Sequence, residues 1–87
     1  MLKLKIVSPE GTPFEGDVEN VTVPGVLGPF EILTDHAPII SLLERGNVTY
    51  TIGGKRNKVA VEGGFVEVLH NVVSLCVELV ADEMKEP

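Results

Sequence analysis

Eighty-seven residues give room for one compact unit and exclude a two-domain enzyme, since domains usually run to ~100–200 residues. Seven Lys plus Arg against thirteen Asp plus Glu give a net charge of −6, and the excess of acid holds in both halves: three bases against seven acids in residues 1–45, four against six in residues 46–87. Without a basic stripe to neutralise phosphates, nucleic acid and an anionic membrane surface are poor partners, and a single cysteine, Cys76, excludes an internal disulfide and any multi-cysteine metal site.

Leu2, Leu4 and Ile6 alternate with Lys3, Lys5 and Val7, the period-2 pattern of a strand with one face inward and lysines turned to water. Ser8-Pro9-Glu10-Gly11 reads as a turn, Thr12 to Gly16 as a short strand, and Val18 to Val23 as another with Val21 and Val23 on one side. Pro24 to Pro29 holds two glycines and two prolines around Val26 and Leu27, so it is a loop that shows an apolar pair to solvent. Phe30-Glu31-Ile32 is a brief strand, Thr34 to Pro38 a polar connection, and Ile39 to Leu43 an apolar run read as a strand.

From Asn47 the alternation sets Val48, Tyr50 and Ile52 inward, Gly53-Gly54 turns the chain, and Val59 and Val61 return, although Lys55-Arg56-Asn57 leaves the loop length open. Phe65 to Leu69, a turn at His70-Asn71, and Val73, Leu75, Val77 and Leu79 on one face of a last strand complete the set. Turn signals every eight to twelve residues and the absence of a 3.6-residue apolar stripe predict an all-β fold, two packed antiparallel sheets of eight to ten short strands in a sandwich over residues 1–81, with a charged tail at 82–87. The opening residues lack a signal-peptide layout and no apolar run approaches the roughly 18 residues of a membrane span, so the chain reads as cytosolic, with any membrane association made through a partner.

Chemistry-bearing residues are few. His36 and His70 sit on separate turns without metal-ligand spacing, and Cys76 should face away from Leu75 and Val77 as a packing residue with no base beside it. Glu62, Glu67 and Glu78 fit the outward face of alternating strands better than an acid–base pair. Gly63-Gly64 lacks the helix and lysine of a phosphate loop and reads as a bulge or a close backbone approach. No cofactor or metal is called for, and the residues taken alone favour a binding or structural module over an enzyme.

The order of the pieces carries more. Lys5-Ile-Val-Ser-Pro-Glu-Gly11, Phe14-Glu-Gly, Val21-Thr-Val-Pro-Gly, Gly28 before an aromatic-aliphatic strand, His36-Ala-Pro, Gly63-Gly-Phe-Val-Glu-Val and Val80-Ala-Asp together resemble the N-terminal domain of the epsilon subunit of F-type ATP synthase. The resemblance implies a ten-stranded β-sandwich, a non-catalytic part of the rotor that binds the gamma subunit, rests on the polar loops of the c-ring, and couples ring rotation to the stalk during proton- or sodium-driven synthesis. It implies a place on the cytoplasmic face of a bacterial plasma membrane, or the equivalent face of another energy-transducing membrane, as part of the complex. By the same resemblance, Gly25, Val26, Leu27, Gly28, Pro29, Phe30 and Glu31 fall where the family meets the c-ring, with Pro29 standing in place of a common carboxylate and Glu31 a candidate to supply the charge. His36, Ala37, Pro38, Gly63, Gly64, Phe65 and Glu67, with Ser8 beside them, fall where it meets gamma. Asp35 replaces a common glycine, which a left-handed backbone would tolerate. The family usually continues into an inhibitory helical hairpin; with a chain ending at Pro87, the expectation is a coupling subunit without that brake. The alternative is a free-standing β-sandwich module binding a small ligand or peptide.

Overall fold

The alternation at the N-terminus is realised as β1, Leu2–Ser8, with Leu2, Leu4 and Ile6 fully buried and Lys3 and Lys5 exposed. In the computed structural model, which describes residues 1–80, seven further strands follow: β2 Gly11–Val18, β3 Asn20–Val23, β4 Phe30–Ile32, β5 Ile39–Leu43, β6 Gly46–Ile52, β7 Lys55–Leu69 and β8 Val72–Leu79. The tail at 82–87, together with the Ala-Asp end of the last family motif, lies outside the described residues. The described chain is all β, as its patterning predicts.

Two turns are built from left-handed residues. Ile52 pairs with Lys55 across a two-residue loop, Gly53 and Gly54, with φ of 56° and 79°, so Lys55 to Lys58 belong to the strand and not to the turn. His70 and Asn71, φ 50° and 64°, turn β7 into β8 in the same way. Ile52 stands at the tip of its hairpin and is exposed, not inward as its alternation with Tyr50 suggests, because the core ends at Tyr50, two pairs earlier.

β7 organises the sandwich. Its first half, Lys55 to Val61, pairs with β6, and its second half, from Val61 to Leu69, pairs with β8. β5 lies along the opposite edge of that second half, from Ile39 opposite Val68 to Leu43 opposite Gly64. One layer is therefore β2-β1-β8-β7-β5 and the other β7-β6-β3-β4, joined through a strand that bends where the register slips between Val61 and Gly63. The eight strands fall within the eight to ten expected, and the structure adds two features to the sequence reading: the two sheets are one hydrogen-bonded ladder, and β1 and β8 run parallel although every other pairing of strands is antiparallel.

Between the layers lies a single core that includes Leu2, Leu4, Ile6, Val21, Val23, Ile32, Val48, Val61, Val66, Val68, Val73 and Leu75. Phe14 of β2 meets Tyr50 of β6 with ring centroids 4.6 Å apart, closing one side of the sandwich. Val59 and Leu79 pack partly against this core.

Candidate functional site: the outer face of the first layer

Register fixes which side chains share the outer face of the β2-β1-β8-β7-β5 layer. Val7 is the neighbour of Cys76, Cys76 of Phe65 and Phe65 of Leu42, so an apolar band crosses four strands. Phe65 and Leu42 are exposed at 42% and 64%, while Val7 and Cys76 are half-buried. The row beside it runs Glu15, Lys5, Ser74, Glu67 and Ile40, which sets Lys5 opposite Glu15 and places Glu67 between Ser74 and Ile40. Ile40 is also exposed, at 70%.

A groove of ≈ 600 Å³ opens over one end of this band, bordered by Val7, Ser8, Pro9, Gly64, Phe65 and Glu78 among others. Its floor is shaped by the Gly63-Gly64 pair, with φ of 155° and 143°. A Cβ at Gly64 would overlap the carbonyl oxygen of Cys76 on β8 and stand 2.7 Å from Val77 Cα. Both readings of the glycine pair hold: the register slips beside Gly63, and the neighbouring backbone approaches at Gly64. Glu62, at the slip, is exposed and lies 3.4 Å from the Arg45 guanidinium. Ser8 is buried but its hydroxyl is used locally, accepting from Glu10 N at 3.2 Å and donating within its own turn, so it shapes the rim.

At the far end of β5 the residues 33–38 connect the two layers. His36 N donates to Leu33 O at 3.1 Å, His36 Nδ1 lies 2.8 Å from Ala37 O, and its ring stands 6.4 Å from that of Phe30. Asp35 has φ 68°, a left-handed backbone that Asp accepts better than most residues. His36, Pro38, Asp35, His70 and Asn71 line one surface hollow, so the two histidines that sequence separates share a neighbourhood; among the described residues no group of three ligating side chains is placed to hold a metal ion. The sequence-derived set thus splits: Ser8, Gly63, Gly64 and Phe65 at one end of the face, His36, Ala37 and Pro38 at the other, and Glu67 between them.

The second candidate segment is a turn, Gly25 to Gly28, closed by Gly28 N donating to Gly25 O at 2.9 Å, with Val26 and Leu27 at its tip. Leu27 is fully exposed and Val26 nearly half so. Gly25 is required because a Cβ there would stand 2.7 Å from Gly28 O. The turn is stitched to β5: Val26 N donates to Leu42 O at 3.0 Å and Glu44 N to Pro24 O at 2.9 Å. Phe30, grouped with this loop by sequence, instead turns inward and packs against the core, and Glu31 stands exposed on the outer face of the other layer, beside Thr22. Pro29 is exposed between them.

Sequence reasoning missed Ile40 and Leu42, which link the two ends of the face, and Val7 with Cys76 in the band. The stretch Ile39-Ile40-Ser41-Leu42-Leu43 carried the signal, because its four large apolar side chains fall on both faces of the strand and a strand with only one buried face cannot hide them all. Among the described residues no helix is long and apolar enough to cross a membrane. Burial pushes the Tyr50 phenol above its ordinary range.

Residues 1–82 match the family model described as ATP synthase, Delta/Epsilon chain, beta-sandwich domain. The chain is similar to the ATP synthase epsilon chain of Desulfitobacterium hafniense, 47% identical over 72 residues that make up 83% of this chain and 54% of the relative. It is likewise similar to that of Afipia carboxidovorans, 49% identical over 63 residues, 72% of this chain and 46% of the other. The chain therefore spans about half the length of the curated relatives it matches. Among solved structures, a chain of the Euglena gracilis mitochondrial ATP synthase, an OSCP/F1/c-ring assembly, superposes with a TM-score of 0.83 at 22% identity over 87% of this chain and 49% of that one. A chain of the Tetrahymena thermophila mitochondrial ATP synthase central stalk and c-ring gives 0.76 at 14% identity, over 88% and 63%. At these identities the superpositions speak for the fold.

Proposed function

The chain belongs to the ATP synthase delta/epsilon chain β-sandwich family, and from that premise we propose that it is a non-catalytic subunit of the central stalk of an F-type ATP synthase, coupling rotation of the c-ring to the gamma subunit during ion-driven ATP synthesis. The observation that carries this reading is the apolar band Val7–Cys76–Phe65–Leu42 on the outer face of a sheet, flanked by exposed Ile40 and stitched at Leu42 to a turn that raises Leu27. An exposed apolar surface of this extent, rimmed by charge, suits docking to another protein.

The outer face receives gamma, with Phe65 and Leu42 as anchors and His36, Pro38 and Glu67 at its margin. The Gly25–Gly28 turn meets the polar loops of the c-ring through Val26 and Leu27. Glu31 lies on a different face from the band and serves the ring contact only from the flank of that turn. Such a subunit is held at its membrane, on the cytoplasmic face in a bacterium, by the complex. A free-standing ligand module would instead need an enclosed cavity with converging polar groups. The groove here is open, and the hydroxyl of Ser8, the buried polar side chain on its rim, is engaged in its own turn.

Native mass spectrometry with the cognate gamma subunit tests the reading. A one-to-one complex is expected, abolished by Phe65→Asp in a variant that keeps its fold; absence of a complex with well-folded gamma would overturn it.

A further inference from the structure

We infer that Asn71 is a positioning residue, whose side chain latches the 33–38 connection so that His36 and Pro38 are held ready for the stalk partner. The docking half of this statement rests on the function proposed above; the latch itself does not. Asp35 N donates to Asn71 Oδ1 at 2.6 Å, and Asn71 Nδ2 donates back to Asp35 Oδ1 at 3.2 Å. The Asn71 carbonyl accepts from Lys3 N at 2.9 Å, anchoring the latch to β1 as well as to the β7–β8 hairpin. Beyond their own turn, the hydrogen bonds that the structure gives residues 34–37 both go to Asn71.

Burial does not hold this connection. Leu33, Thr34, Asp35, Ala37 and Pro38 are all exposed and His36 is only half-buried. A six-residue segment with no fully buried side chain samples many conformations unless side chains restrain it. Asp35 and Asn71 both occupy the left-handed region, φ 68° and 64°, which their short polar side chains tolerate while reaching across to each other. Sequence separates the pair by 36 residues, so only the fold reveals it.

The same backbone geometry supplies clean variants. Asn71→Gly keeps the left-handed turn, where glycine is at no steric cost, and removes both side-chain bonds. Asp35→Gly keeps the backbone donor to Asn71 Oδ1 and removes only the return bond, so its effect should be smaller. Loss of two exposed hydrogen bonds lowers the fraction of molecules with a competent connection and so the apparent affinity, by about three- to tenfold.

Hydrogen–deuterium exchange on the free protein, paired with titration against the cognate gamma subunit, tests this. Asn71→Gly should speed exchange at the Asp35 and His36 amides several-fold, leave β7 and β8 unchanged, and weaken gamma binding about three- to tenfold, with Asp35→Gly intermediate. In a His36→Ala background the Asn71→Gly loss should shrink, a coupling that a merely structural role would not produce. Unchanged exchange at Asp35 and His36 would overturn the latch, and faster exchange with full affinity for gamma would overturn its positioning role. Failure of the parent protein to bind gamma would overturn the docking half alone, since exchange in the free protein decides the latch separately.

Discussion

Replacing Gly64 by alanine should be among the most damaging single-methyl changes the domain can suffer, and the size of the effect can be worked from two separate terms. The first is conformational: φ of 143° lies in a region essentially reserved for glycine, at a cost of about 1–3 kcal/mol. The second is contact: the new Cβ would overlap the Cys76 carbonyl and stand 2.7 Å from Val77 Cα, and since these are backbone atoms the strands must part and lose ladder hydrogen bonds, each worth about 1 kcal/mol net. Together they give roughly 3–5 kcal/mol against a whole stability on the order of 5–15 kcal/mol. Gly28→Ala isolates the first term, because Gly28 has a similar φ of 131° with nothing within 4 Å of its Cβ position. Urea denaturation of both variants should place Gly64→Ala at least ~2 kcal/mol below Gly28→Ala, or about 8–16 °C lower in Tm. Equal stabilities would refute the close approach of β7 and β8 at the floor of the groove. For the same reason a bulky residue at Gly64 is a poor probe of docking, as it damages the fold together with the surface.

Leu27→Asp should leave the Tm within a few degrees, because that side chain is wholly exposed, yet weaken assembly with the ring roughly 10- to 150-fold by removing about 1.5–3 kcal/mol of apolar burial, read by ring co-sedimentation. Leu75→Ala, at a fully buried position on the inner face of β8, should cost about 2–5 kcal/mol in denaturant unfolding. Tyr50 gives an alkaline dependence: its folded pKa lies above the ordinary value of 10.0, so the stabilisation is fully present below pH 10 and is lost as pH rises through the folded value. Stability measured between pH 9 and 11 should therefore fall in the parent and fall less in Tyr50→Phe.

The inward faces of β1, β3 and β8 were legible because each carries a period-2 pattern at a buried–exposed boundary, as in Leu2-Lys3-Leu4-Lys5-Ile6. Gly53-Gly54 and His70-Asn71 were legible as turns because their residue types suit the left-handed backbone they adopt. What local patterning could not reveal is pairing at a distance. The parallel contact of β1 with β8 joins residues roughly seventy apart, and no local signal distinguishes it from an antiparallel one. Nor could sequence show that Gly63-Gly64 bends one strand through both layers where it might have ended one strand and begun another. For the candidate site, the resemblance located the Gly25–Gly28 turn and the Phe65 strand, while Leu42 and Cys76 became visible only when register set them beside Phe65.

Cys76, the sole cysteine of the chain and half-buried in the middle of the band, offers the most direct test of the docking face. Its alkylation by N-ethylmaleimide can be followed by mass spectrometry of this chain, alone and with saturating cognate gamma subunit. If gamma covers the face, labelling in the complex should slow by at least tenfold, and Phe65→Asp should restore the free rate. An unchanged rate in a complex known to have formed would contradict the account, placing gamma on some other surface.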